Sequence, residues 1–276
     1  MKRTCSGIKF ISVALVENKN NRVVLVGAGN MATAIAVALA NAGHAPIAVW
    51  SRTAESAKSL ADRVGAMWCC EMDDMPQADI VIISVVDSVL REVATKVVAR
   101  YPDAVVLHTA GSIPMNALCE CGAKKYGVLY PMQTVNKNNI ISLDEVTTFI
   151  EGCNDDVTRL VEDIARYISN KVVRATSEQR CYLHVAAVFA CNFSNAVYNM
   201  AAEILEKHGL PFEAMLPLID EAARKVHRMM PSEAQTGPAR RGDMNVMNAH
   251  ISMLDDELSA IYSTISDYII RRNDKI

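Results

Sequence analysis

The sequence predicts a doubly wound α/β domain with a mainly parallel sheet, followed by an all-α domain. Three observations predict this arrangement. Strand-like and helix-like segments alternate over the first half of the chain, the strand signal stops after Thr176, and helical patterns continue from there. Alternation of this kind is typical of parallel sheets with helices on both faces. We therefore expect a first domain at residues 22–175 and a second at 176–276, preceded by a leader or edge extension at 1–21.

The elements of the first domain can be justified in order along the chain. Seven apolar, β-favouring stretches are interpreted as strands: RVVLVG, PIAVW, ADIVIISVV, AVVLHTA, YGVLYPMQT, TTFIEG and KVVRAT. The third is almost wholly apolar, which is typical of a strand buried on both faces of its sheet. Helical patterns between these strands cover residues 30–41, 54–64, 88–100 and 155–169.

After the last strand the pattern becomes entirely helical. One helix of roughly 30 residues is predicted from Ser177 to His208, and Gly209 and Pro211 provide the usual signal for its end. Two or three shorter helices are expected beyond it, interrupted by the stretch AQTGPARRGDMN. We predict that these helices form a domain for substrate binding or dimerisation.

Composition and charge argue against several classes of partner. The chain has 276 residues, with 28 Lys and Arg against 31 Asp and Glu, for a formal net charge of −3. Proteins that bind nucleic acids or anionic membranes usually carry an excess of positive charge, so neither partner is expected. The most apolar helical stretch, residues 185–202, contains three asparagines, which is unusual for a membrane span.

The cysteines favour a reducing compartment. There are eight, none with C-x-x-C spacing, and a chain of this length does not depend on disulfides. Cys119 and Cys121 have no second cluster that would complete a zinc site. We therefore expect a cytoplasmic protein without a bound metal.

A glycine turn stands where the first strand passes into the first helix. The stretch VVLVGAGNMA contains the pattern G-x-G-x-x-A. Gly27 permits a tight turn, Gly29 leaves room for a phosphate, and Ala32 allows the helix to pack closely on the strand. Amide N–H groups at the helix start would then face the anion. Because the motif has this strand-and-helix context, we predict a dinucleotide diphosphate site. Its residues are Gly27, Ala28, Gly29, Asn30 and Met31.

The end of the second strand indicates which dinucleotide binds. NAD-binding proteins usually have an acidic residue about 20 residues after the turn, whereas this chain has Ser51, Arg52 and Thr53. Hydroxyl groups and a guanidinium suit the 2′-phosphate of NADP, which arginine binds through charge-assisted hydrogen bonds. The alternative is that Ser51 caps the next helix and Arg52 faces solvent. We predict NADP. A methyltransferase, which would also need an acid here, is a less favoured interpretation.

Several further motifs occur in a recognisable order. VGAGNMA followed by SRT resembles pyrroline-5-carboxylate reductase and the deazaflavin-dependent NADP reductases. HTAGSIP, YPMQT, FIEG, LHVAAVFACNF, MLPLID and TGPARRGD together resemble a narrower family. Its members are NADP oxidoreductases with a Rossmann-like domain and a C-terminal helical domain of unknown function, similar to that of 6-phosphogluconate dehydrogenase. The resemblance covers the chain after Arg22 and implies the fold and the cofactor, but it names no substrate.

The same resemblance implies further cofactor-binding residues. In similar reductases the turns after the later strands line the cofactor. Carried over to this chain, they are Ser84, Val85, Val86, Thr109, Ala110 and Gly111. His108 comes directly before the second of these turns, and we interpret it as a packing residue at the strand end.

The long helix carries the first catalytic candidates. At about 100° per residue, His184, Cys191, Asn192 and Asn195 fall on one face. Reduction of C=O or C=N needs a proton donor, and His184 is a candidate because its unperturbed pKa of about 6.5 lies near working pH. Asn192 would orient the carbonyl or imine. Related dehydrogenases commonly have lysine where this chain has His184. The alternative interpretation is that the imidazole and the amide side chains form hydrogen bonds between helices or lie in a dimer interface.

TGPARRGD provides another candidate. Gly237 and Gly242 indicate a loop, in which Arg241 and its neighbour Arg240 would clamp a carboxylate or phosphate. Two adjacent arginines in a loop are otherwise usually solvated. Asp243 is expected to cap the next helix. The catalytic candidates are therefore His184, Asn192 and Arg241.

These features together predict an NADP(H)-dependent oxidoreductase that transfers hydride to or from a small carbonyl, imine or hydroxy substrate. The main alternative is a non-catalytic NADP-binding sensor or interaction protein. The long apolar helices of the second domain favour a homodimer formed through that domain.

Overall fold

The computed structural model describes residues 21–273. The extension expected at residues 1–21 therefore lies outside the described residues, apart from its last one. Backbone contacts separate the chain into two compact units, divided between Phe189 and Ala190. Each unit is described by itself below. The domain boundary expected at residue 176 stays a prediction.

The first unit contains eight strands and six α-helices within the described residues. The strands are β1 Val23–Val26, β2 Ala48–Trp50, β3 Met67–Cys69, β4 Ile80–Ile83, β5 Val105–His108, β6 Lys125–Pro131, β7 Thr148–Gly152 and β8 Val172–Arg174. The helices are α1 Asn30–Asn41, α2 Ala54–Val64, α3 Leu90–Arg100, α4 Asn116–Glu120, α5 Asp155–Ile168 and α6 Ser177–Ala187.

The strands form one sheet in the order β3-β2-β1-β4-β5-β6-β7-β8. All neighbouring strands are parallel except β6 and β7. This confirms the predicted doubly wound, mainly parallel sheet. The chain runs outward from β1 through β2 to β3 and then returns to β4 on the other side of β1. The strand order therefore reverses at β1, where open α/β sheets usually bind ligands.

Alternate residues of each strand pack on opposite faces of the sheet. In β1, Val23 and Leu25 belong to a core that includes residues of α1, α2 and α5. Val24 and Val26 belong to a second core, which includes residues of α3. All four side chains are at most 6% exposed. Burial on both faces explains why this strand reads as a continuous apolar run.

The second unit is helical in its described part. It contains α7 Ser194–Lys207, α8 Leu216–Val226, α9 Pro231–Ala234, α10 Pro238–Arg241, α11 Met244–Ser252 and α12 Asp256–Asn273. The two or three helices expected after α7 are therefore five, two of them only four residues long. None of the helices within residues 21–273 has both the length and the apolar character needed to span a membrane.

The prediction of one uninterrupted α-helix from Ser177 to His208 was wrong. A π-helical segment at Val188–Phe193 separates α6 from α7. A π turn has hydrogen bonds between residues five apart, so the spacing of about 100° per residue does not hold across it. The predicted end near Gly209 is confirmed, because α7 ends at Lys207 and Gly209 has a φ of 67°.

Candidate active site

A cavity of about 660 Å³ opens beside the carboxyl ends of β1, β2, β4 and β5 in the first unit. Its lining includes all fourteen residues that were expected to bind the cofactor, together with His184. The fourteen are Gly27, Ala28, Gly29, Asn30, Met31, Ser51, Arg52, Thr53, Ser84, Val85, Val86, Thr109, Ala110 and Gly111. Positions spread over 158 residues of sequence are thus brought to one cavity by the sheet.

Gly27 occupies a position that no other residue fits. Its amide N–H donates to the carbonyl of Trp50 at 2.8 Å, and its φ is 120°. A Cβ atom at this position would lie 2.0 Å from the carbonyl oxygen of Ser84. The end of β1 is therefore pressed against the backbone after β4, and only glycine permits this approach.

Gly29 lacks a side chain for a different reason. A Cβ atom there would meet nothing within 4 Å, so the vacant space faces the cavity rather than protein. α1 begins at the next residue, with no side-chain cap and no acidic residue in its first turn. Free amide N–H groups and the positive end of the helix dipole face this space. The corner fits the diphosphate of a dinucleotide.

The segment after β2 provides hydroxyl and guanidinium groups. Ser51, Arg52, Thr53 and Ser56 all line the cavity. The N-cap residue of α2 is Thr53, so Ser51 does not cap this helix, and the Thr53 side chain makes no cap hydrogen bond either. The hydroxyl groups at this corner are therefore not used to begin α2. They fit a phosphate monoester, such as the 2′-phosphate of NADP.

Tyr130 and His184 form a hydrogen-bonded pair in the same cavity. Tyr130 Oη lies 3.2 Å from His184 Nδ1, and Tyr130 is only 8% exposed. Burial raises the pKa of Tyr130 above its usual value, so the phenol keeps its proton at neutral pH. A Cβ atom on Gly111 would lie 2.7 Å from His184 Nδ1 and 2.9 Å from Tyr130 Oη. The absence of a side chain at Gly111 leaves room for the pair.

A buried ion pair fixes the helix that carries His184. Arg180, 1% exposed, donates to Glu151 on β7 at 2.6 Å. It also donates to the carbonyls of Ala110 at 3.3 Å and Ile113 at 2.6 Å. Since His184 follows Arg180 by one helical turn, these bonds hold the imidazole against the turn after β5. No sequence motif predicted this role of Arg180.

His108 belongs to the core rather than to the cavity lining. It is fully buried, and its Nδ1 accepts the amide N–H of Ala110 at 3.2 Å. Burial, with a smaller contribution from the charge of Arg180, lowers the pKa of His108 to about 3. A neutral, enclosed imidazole agrees with the interpretation of His108 as a packing residue.

Sequence reasoning missed several residues that line the cavity. Tyr130 and Gln133 belong to the YPMQT motif, whose side chains were given no role. Lys137 lies in the connection that follows this motif, and Asp87 comes directly after Val86. Asp87 accepts a hydrogen bond from Ser112, which joins the turns after β4 and β5. The motif was the signal that could have identified Tyr130.

The other two catalytic candidates belong to the second unit. Asn192 lies in the π-helical segment. Arg241 is the last residue of α10, so the expected loop TGPARRGD was wrong in part. Proline at the first helical position and Gly242 in the left-handed conformation favour such a short helix. The expected cap of α11 is present, because Asp243 accepts the amide N–H of Val246 at 3.2 Å. The catalytic roles of Asn192 and Arg241 stay predictions.

Two family models match parts of this chain. Residues 146–269 match the model of a domain of unknown function, DUF2520. Residues 12–101 match the model of shikimate / quinate 5-dehydrogenase. A comparison with curated proteins found no significant match.

Three solved structures illustrate the similarity. The structure described as a "putative NADP oxidoreductase", BF3122 from Bacteroides fragilis, is 45% identical with a TM-score of 0.86, covering 91% of this chain and 98% of that one. Protein TM1727 from Thermotoga maritima is 22% identical with a TM-score of 0.75, covering 91% and 99%. An imine reductase from Myxococcus stipitatus in complex with NADP+ is 18% identical with a TM-score of 0.62, covering 92% and 93%.

The fold and the glycine turn define a Rossmann-type dinucleotide-binding protein. The chain belongs to the same family of NADP oxidoreductases as the Bacteroides fragilis protein. This confirms the family that the order of the sequence motifs predicted.

The two glycines of the turn should respond differently to substitution by alanine. Gly27→Ala should lower the melting temperature by several degrees, because the new methyl group would overlap the Ser84 carbonyl in a strained backbone. Gly29→Ala has room for its methyl group and should leave the melting temperature within about 2 °C of the original. Thermal unfolding followed by circular dichroism measures both. Equal destabilisation by the two substitutions would contradict the described turn.

Proposed function

We propose that this protein is an NADP(H)-dependent oxidoreductase that transfers hydride to or from a small carbonyl, imine or hydroxy substrate. The observation that carries the proposal is one cavity lined by the glycine turn, by the segment Ser51–Thr53 and by the pair Tyr130 and His184. A solved structure of similar fold supports the proposal because it holds the expected cofactor: a reductive aminase from Aspergillus terreus is in complex with NADPH and ethyl levulinate. That relative is 16% identical and shares only the fold.

The two phosphate-binding corners would hold the cofactor. The amide N–H groups at the start of α1 would donate to the diphosphate, with Gly29 leaving space for it. Arg52 would pair with the 2′-phosphate, and Ser51 and Thr53 would donate hydrogen bonds to the same group. The bound cofactor supplies or accepts the hydride.

The hydrogen-bonded pair would supply the proton. Reduction leaves an electron pair on the substrate oxygen or nitrogen, and that atom must then take a proton. Tyr130 holds a proton on Oη at neutral pH, and His184 Nδ1, 3.2 Å away, can replace a proton that Tyr130 gives up.

A second copy of the chain is the partner we propose for the helical unit. Among its described residues only Ala239, Met247 and Ser266 are buried, and α7 and α8 bury none. Large apolar side chains are exposed instead at Phe193, Val197, Tyr198, Leu210, Leu216, Leu218, Val226, Met229, Met230, Met244, Val246, Met253, Ile265 and Tyr268. So much exposed apolar surface is typical of a protein–protein interface, and a homodimer would cover it.

Cofactor titration tests the proposal. Quenching or enhancement of nucleotide fluorescence should show that NADPH binds more tightly than NADH. Arg52→Ala should weaken NADPH binding by about 10- to 100-fold, because charge-assisted hydrogen bonds to the 2′-phosphate are lost, and should change NADH binding by less than about twofold.

Arg159→Ala is the matched control, since this exposed arginine on α5 pairs with Asp156 away from the cavity. Equal binding of NADPH and NADH by the original protein would contradict the assignment of Arg52. Turnover should also be measured on a panel of carbonyls and imines that includes ethyl levulinate and dibenz[c,e]azepine. If no compound is turned over while NADPH still binds, the result would favour the non-catalytic sensor.

Tyr130→Phe should lower the turnover number by about 100-fold or more, because the proton would no longer be positioned for the substrate. NADPH affinity should stay unchanged. Tyr126→Phe, at the start of the same strand and outside the cavity lining, is the control. Steady-state kinetics on the best substrate of the panel measure the effect. Equal turnover of the two variants would exclude Tyr130 from proton transfer.

Sedimentation equilibrium should give twice the mass of one chain at micromolar concentration. Leu218→Glu should shift the protein toward the monomer, because it places a charge on the exposed apolar surface of α8, where Leu218 is 66% exposed. Val173→Glu, at an exposed apolar position in the first unit, should leave the mass unchanged. A single-chain mass for the original protein would overturn the proposed dimer.

A further inference from the structure

The connection between β6 and β7 reaches back to the start of α1. The amide N–H of Lys137 donates to Oδ1 of Asn30 at 3.1 Å, across 107 positions of sequence. Asn30 is the first residue of α1 and belongs to the corner that fits a diphosphate. The backbone of Lys137 is therefore attached directly to the anion-binding end of this helix.

A second contact holds the main chain of the same residue. Arg63, in the last turn of α2, donates from Nη1 to the carbonyl of Lys137 at 3.1 Å. Asn136 and Asn139 form a short bridge, and the amide N–H of Asn138 donates to Oδ1 of Asn136 at 2.9 Å. The turn that carries Lys137 is thus fixed by its own hydrogen bonds and by both helices.

The charge of Lys137 is available for a ligand. Lys137 lines the cavity, together with Asn30 and Gly29. Within residues 21–273, no carboxylate lies close enough to form an ion pair with it. An ammonium group is a point charge on a flexible stem, so it can pair with a phosphate without a fixed geometry. Its backbone position places that stem beside the same space that the α1 amides face.

We propose that Lys137 binds the diphosphate of the dinucleotide, together with the amide N–H groups of α1. This inference rests on the proposed function, because it assumes a dinucleotide in the cavity. It assigns Lys137 and Arg52 to different phosphates. The diphosphate is common to NADPH and NADH, whereas the 2′-phosphate occurs only in NADPH. Lys137 therefore contributes to the binding of both nucleotides, and Arg52 distinguishes between them.

The test compares three ligands by isothermal titration calorimetry: NADPH, NADH and adenosine 2′-monophosphate, which has the 2′-phosphate but no diphosphate. Lys137→Met keeps the length of the side chain and removes its charge. It should weaken NADPH and NADH by the same factor, roughly tenfold, and leave adenosine 2′-monophosphate unchanged. Arg52→Ala should weaken NADPH and adenosine 2′-monophosphate and leave NADH nearly unchanged. Lys137→Arg should restore most of the affinity, because it restores the charge.

Two controls separate this effect from general ones. Lys124→Met removes the charge of an exposed lysine that pairs with Asp103, and it should change none of the three affinities. The affinity of the Lys137→Met protein for NADPH should also depend less steeply on salt than that of the original protein, since one charge pair is missing.

The outcomes are distinguishable. Unchanged binding of both dinucleotides by Lys137→Met would overturn the inference and leave the proposed function standing. A loss confined to NADPH and adenosine 2′-monophosphate would assign Lys137 to the 2′-phosphate and overturn the inference as stated. Failure of the original protein to bind either dinucleotide would overturn the proposed function, and the inference with it.

Discussion

The close approach of two backbone segments, at Gly27 and at the Ser84 carbonyl, is the constraint on which the site depends. It occurs where the strand order reverses, so β1 has to end between β2 and β4 with no side chain in the way. Only this approach lets α1 begin directly behind the strand with its free amide N–H groups toward the cavity. A wider turn would move both the helix dipole and the space beside Gly29 away from the second strand, and the two phosphate corners would no longer share one cavity.

The end of the cavity that holds Tyr130 and His184 depends on a different interaction, the buried pair of Arg180 and Glu151. Burying two charges costs several kcal/mol per ion, so such a pair is weak evidence for stability. In this protein the ion pair serves to position α6. The guanidinium binds Glu151 on β7 and the carbonyls of Ala110 and Ile113 after β5, which fixes the first turns of α6 against the sheet. His184, one turn further along α6, then reaches Tyr130, and Gly111 leaves the room that the contact requires.

Local patterns predicted most of the sheet and the phosphate corners. Each apolar run, each glycine turn and each segment after a strand is a short continuous stretch of sequence, so it can be recognised without knowing the fold. β3 was missed because it has only three residues, Met67–Cys69, which is too short for a strand pattern to be recognised. The break at Val188–Phe193 was missed because the periodicity of an α-helix was extended through a π turn. Tyr130, Arg180 and Lys137 were missed because their contacts join segments far apart in sequence, and no spacing rule reports such contacts.

The charges around the cavity bear on the orientation of the proposed dinucleotide. At one end, α1 begins without an acidic residue in its first turn, and Arg52 and Lys137 provide positive charge. At the other end, burial raises the pKa of Tyr130, so the phenol keeps its proton; the charge of Arg180 opposes this shift and the carboxylate of Asp87 adds to it. In the proposed complex the phosphates would be attracted to the first end, whereas at the second end the charges of Asp87 and Arg180 oppose each other. The positive charge at the first end supports the proposed orientation, with the phosphates at α1 and the nicotinamide beside Tyr130 and His184.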